Sequence, residues 1–62
     1  MIKYEDAYFY YNLLTTKAKK MFKFKDVARK WESEQIASVI FDFDFDISMK
    51  KFITGLNNTA LN

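Results

Sequence analysis

Phe41-Asp42-Phe43-Asp44-Phe45-Asp46-Ile47 alternates apolar and acidic side chains at every step. In an extended chain, Phe41, Phe43, Phe45 and Ile47 share one face and the three aspartates the other, so the pattern predicts a strand over 41–46. Phe22-Lys23-Phe24-Lys25 alternates in the same way, with lysine in place of aspartate. Paired in one sheet, the two segments would turn their phenylalanines into a core. Lys23 and Lys25 would then sit on the same outer face as Asp42, Asp44 and Asp46, at about 0.2–1 kcal/mol per opposite-charge pair. An all-helical fold is the alternative, because Ile36, Ile40, Phe43 and Ile47 also fit a helical stripe. Three aspartates among aromatic residues make a poor helix interior, which favours the strand.

Outward from this stretch the chain reads as helical. Tyr4, Ala7, Tyr8, Tyr11, Leu14, Ala18 and Met21 recur at spacings of three and four, predicting one long helix from Tyr4 to Met21. Asp26 and Ser33 are N-cap candidates for two short helices between the strands, or for one kinked helix. The first carries Val27, Ala28 and Trp31 on one face, which predicts a buried indole. Ser48 is an N-cap candidate for a last helix carrying Met49, Phe52, Ile53 and Leu56, with Ile47 stapled onto Phe52. Gly55 and Asn57-Asn58 mark its expected end. The expected fold is therefore α+β. A long N-terminal helix packs on a small two-stranded sheet, with one or two short helices between the strands and a C-terminal helix.

Length and composition narrow the classes of function. Sixty-two residues make a single domain, 1–62, that is marginal without a dense core or a partner. Seven Phe, four Tyr and one Trp supply such a core, and exceed what one small core hides. Without cysteine or histidine there are no disulfides and none of the usual zinc clusters, and no metal or other cofactor is expected. Asp42, Asp44 and Asp46 match the first three ligand spacings of a calcium loop. The glycine and glutamate that such a loop needs are replaced by Ile47 and Ile53. No Gly-rich phosphate loop is present, and carboxylates, lysines and tyrosines alone do not make a catalytic kit, so a non-enzymatic role is expected. The N-terminus lacks the apolar run of a signal peptide, and no segment approaches the roughly 20 apolar residues of a membrane span. A cytoplasmic protein is expected.

Two surfaces stand out. Seven of the ten basic residues lie between Lys17 and Lys30, whereas Trp31 to Met49 holds five acids and no base. Phe9 and Leu13 fall on the polar side of the predicted first helix, one turn apart, with Thr16 and Lys20 near the same line. The leading expectation is a protein-binding module of inhibitor or adaptor type. It would dock through Phe9, Leu13, Thr16 and Lys20 onto another protein or a second copy of itself. Small size and a lysine–asparagine–phenylalanine bias suit a phage or plasmid accessory protein.

Phe24-Lys25-Asp26-Val27-Ala28-Arg29 resembles the opening of the helix-turn-helix in lactose-repressor-type DNA-binding domains, and the order of elements is similar to part of a winged helix. The resemblance covers about half a dozen residues. It implies DNA binding through Lys23, Lys25, Arg29 and Lys30 as the second expectation. The sequence departs from that pattern at Glu32, where the turn normally carries glycine. The would-be recognition helix, 34–40, has no basic residue and runs into three aspartates that phosphate would repel.

Overall fold

The computed structural model describes residues 5–61, which form four helices and, among the described residues, no strand. They are α1 (Glu5–Tyr11), α2 (Thr16–Met21), α3 (Phe24–Phe41) and α4 (Phe45–Leu61). The expected α+β architecture is thus corrected to all-α. Tyr4, the first residue of the expected long helix, and Asn62 lie outside the described residues.

The alternating stretch is a helix end, a short link and a helix start. Asp42 adopts the left-handed conformation, φ 53° and ψ 50°, and its N–H donates to the Ser38 carbonyl at 2.9 Å, closing α3. Aspartate tolerates that conformation better than most side chains do. The Ser38 hydroxyl donates to the Phe43 carbonyl at 3.1 Å and fixes the link. Asp44 then caps α4, its Oδ1 accepting the Ile47 N–H at 3.1 Å. Asp46 lies in the first turn of α4, where the helix dipole favours a carboxylate. Three aspartates spaced by two thus stop one helix, start the next and stabilise its first turn. A two-stranded ribbon would have been marginal by comparison.

The other expected strand, 22–25, is only an extended joint. Phe22 closes α2 by donating its N–H to the Ala18 carbonyl at 2.8 Å, Lys23 precedes α3 in an extended conformation, and Phe24 is already helical. From there α3 runs unbroken through Asp26 and Ser33, so neither residue caps a helix. Ser48 does not start the last helix either, and Ile47 lies within α4, 52% exposed, and does not staple onto its start.

The expected first helix is broken instead. Asn12, Thr15 and Thr16 are weak helix formers, and after Tyr11 the chain tightens, with Leu13 N–H to Tyr10 O at 3.0 Å and Leu14 N–H to Tyr11 O at 3.1 Å. Thr15 caps α2 by accepting the Ala18 N–H at 3.1 Å. The bend is completed from the far end of the chain. Asn57 accepts the Thr15 N–H at 2.9 Å and donates to the Leu13 carbonyl at 3.3 Å. Asn57 therefore does not end α4, which continues to Leu61.

α2 packs mainly on α4, α1 on α3, and α3 on α4. The core between them is Ala7, Tyr10, Leu14, Ala18, Val27, Ala28, Trp31, Met49, Ile53 and Ala60. Aromatic side chains fill its margin. Tyr8 stacks on Phe24 at 3.9 Å between ring centroids, and Phe45 meets Tyr10 and Trp31 edge-on at 5.8 and 6.2 Å. Trp31 is buried, as its helix face predicts. Among the described residues no helix is long and apolar enough to cross a membrane.

Candidate protein-docking surface

On one continuous α3, each residue advances about 100° around the axis. With Val27, Ala28 and Trp31 turned into the core, Ile40 lies about half a turn from Trp31 and Ile36 about 140° away. Both therefore face outward. Ile36 is 60% exposed, Ile40 65% and Val39 83%, and Phe41, at the end of the helix, 74%. Ile36 neighbours Val39 and Ile40 at spacings of three and four, so the three form one apolar strip.

The strip continues onto α1. Phe9, 54% exposed, and Val39 both line a hollow of about 320 Å³ between α1 and α3, with Tyr10, Trp31 and Phe45 among its walls. Asp6, Gln35 and Ser38 supply its polar rim. The Trp31 Nε1–H is buried at this wall with no acceptor among the described residues.

Of the residues singled out from the sequence, Phe9 therefore lies beside α3. Leu13 is exposed in the bend, its carbonyl bound to Asn57 of α4. Thr16 and Lys20 lie on α2, beyond the bend, and are exposed. Because the helix breaks after Tyr11, the straight line on which these four were placed does not exist. Ile36, Val39 and Ile40 were not singled out as surface. The division of α3 into two short helices hid their position opposite Trp31; a single helical wheel over 24–41 displays it.

The basic residues are also divided. Lys23, Lys25 and Arg29 are exposed around the start of α3, and Lys25 and Arg29 line a second hollow of about 380 Å³ with Phe24, Ala28 and Glu32. Lys30 instead pairs with Glu34 at 2.7 Å and lies over the Phe52 ring at 5.8 Å.

A polar network ties α1 to α4. The buried Tyr10 hydroxyl donates to Asp46 Oδ1 at 2.7 Å, and Lys50 pairs with Asp46 at 2.9 Å. Burial, then the bond to Asp46, hold the Tyr10 phenol well above the usual tyrosine range. The Tyr10 bond, then Lys50, hold the Asp46 carboxyl below its ordinary range. Lys30, then the Ser48 hydroxyl, lower Glu34 likewise. A lowered carboxylate contributes stability that is present above its ordinary value and lost as pH falls through the folded value. A raised phenol contributes stability that is lost as pH rises past about 10. Thermal melting from about pH 2 to about 11 should thus show a plateau bounded by both limbs. Tyr10→Phe should remove this tyrosine's share of the alkaline limb and shallow the acid one. A variant with both limbs unchanged would contradict the network.

No protein-family model matches this chain, nor does any curated protein or solved structure.

Proposed function

We propose that this chain is a non-enzymatic protein-binding module that docks through the outward strip of α3 together with Phe9. One observation carries the reading. Ile36, Val39 and Ile40 are each more than half exposed and contiguous on one helix face, with Phe9 beside Val39 across the hollow. Small monomeric domains bury their contiguous large apolar surfaces, and a patch of this kind rimmed by polar groups is the usual mark of an interface. The Tyr10–Asp46 bond holds α1, which carries Phe9, against α4, and so lowers the ordering cost of docking at Phe9. An inhibitor or adaptor acting in the cytoplasm fits these features.

The DNA-binding alternative has less support. A winged helix needs a β-wing, and no strand is found among the described residues. The two helices of the expected motif, one opening at Phe24 and the other at 34–40, are a single unbroken α3 with no turn between them. Lys30 is engaged with Glu34, which leaves three of the four cations considered for phosphate.

Co-expression of tagged and untagged proteins tests the docking reading. The tagged parent should retain a protein, a second copy included, that the tagged Phe9→Ser, Ile36→Ser, Ile40→Ser variant loses. The variant's circular dichroism should match the parent's, because all three side chains are mostly in solvent. Identical retained proteins for parent and variant would overturn the reading, as would an unfolded variant.

A further inference from the structure

We infer that the hollow between α1 and α3 binds the quaternary ammonium group of an organic cation, held against the rings of Phe9, Tyr10, Trp31 and Phe45 with the carboxylate of Asp6 at the rim. The inference uses the hollow, not the outward strip of α3, and does not rest on the docking reading.

The walls are aromatic. Phe9 and Tyr10 meet at 80° with ring centroids 5.1 Å apart, Tyr10 and Phe45 at 90° and 5.8 Å, and Trp31 and Phe45 at 78° and 6.2 Å. None of these pairs is stacked flat, as Tyr8 and Phe24 are at 5°. A flat stack covers a π-face of both rings, whereas a run of rings at right angles closes a concave space on several sides. A ring face carries the negative part of the quadrupole and attracts a cation within about 6 Å of its centroid. Phe9 is more than half exposed, so its ring is open to a ligand.

The surrounding charge has one sign. Asp6 stands at the rim, no lysine or arginine lines the hollow, and among the described residues Asp6 enters no ion pair. Burial apart, the groups that hold the Tyr10 phenol above its ordinary range are Asp46, Asp6 and Asp44. Three carboxylates therefore gather around this ring, and Asp46 is the one of them that a cation, Lys50, answers among the described residues. Such a site repels an anion and draws in a cation.

The rings also select the kind of cation. A primary ammonium pressed against them loses hydrogen bonds to water that they cannot replace. A methylated quaternary ammonium has none to lose. At about 320 Å³ the hollow lies at the small end of ligand sites, sized for a head group and not for a long chain.

Trp31 is the sole tryptophan and lines the hollow, so its indole N–H gives one unambiguous proton–nitrogen cross-peak. Titrated with choline at fixed ionic strength, that peak should shift saturably, with a dissociation constant in the millimolar range. Dimethylbutanol, the uncharged isostere in which carbon replaces the nitrogen, should bind at least about threefold more weakly. Asp6→Asn should weaken choline several-fold and leave the alcohol unaffected, with circular dichroism unchanged because the side chain is exposed. Phe9→Leu keeps an apolar wall and removes the ring, and should weaken choline more than the alcohol. A short peptide carrying trimethyllysine presents the same head group. If it binds more tightly than choline, the site takes a modified side chain of a partner; if more weakly, a free small cation; both uphold the inference. Equal binding of choline and the alcohol makes the hollow an apolar crevice and overturns it. A choline shift that is absent, does not saturate, or persists unchanged in Asp6→Asn with Phe9→Leu overturns it as well.

Discussion

Trp31→Ala should leave the chain largely unfolded at room temperature. The indole is 3% exposed, sits in the middle of α3 and meets Phe45 edge-on, and it is the largest side chain in the core. Truncating a buried tryptophan costs about 3–5 kcal/mol, and a chain of this length has roughly 3–9 kcal/mol in total. Far-ultraviolet circular dichroism should lose most of its helical signal. Trp31→Phe separates volume from polarity. It keeps a ring in the site and removes the Nε1–H that has no acceptor, which offsets part of the lost packing. It should therefore remain folded. A Trp31→Ala variant melting within a few degrees of the parent would contradict the placement, since each 1 kcal/mol moves a domain this small by about 4–8 °C.

Met49→Ala should be the next most damaging change. Met49 and Val27 are the largest side chains completely removed from solvent, and Met49 faces the core from the start of α4. The expected loss is about 2–5 kcal/mol, most of it from the cavity. Met49→Leu nearly conserves the volume and should cost less than about 1.5 kcal/mol. Urea titration of the two variants beside the parent measures the contrast. Equal losses for alanine and leucine would mean that side-chain shape at this site, and not filled volume, sets the stability.

The parts of this fold that were legible in the sequence are those where one face is buried along a regular element. Val27, Ala28 and Trp31 announced the inner face of α3, and Met49, Ile53 and Leu56 that of α4. The stretch 41–47 was misread because its period of two is real but has another cause. Asp42 takes the left-handed conformation that closes α3, the Asp44 carboxylate bonds to the backbone at the start of α4, and these local terms outweigh the strand pattern. The break after Tyr11 had a local signal in Asn12, Thr15 and Thr16. Its completion by Asn57 had none, because that contact spans more than forty residues. The candidate surface was hidden for a related reason. Apolar spacing identifies a helix face, but only the packing of the other helices decides which apolar residues are left outside.

The Asn57 clamp also orders events during synthesis. The bend between α1 and α2 has its Thr15 N–H and Leu13 carbonyl satisfied by a residue 42 and 44 positions later. Until α4 has emerged, those two groups are bound only by water, and the first two helices have no fixed angle between them. α1 and α2 are short, at seven and six residues, and lie below the length at which isolated helices hold in water. The bend between α1 and α2 is thus made early and takes its final angle only once α4 is in place.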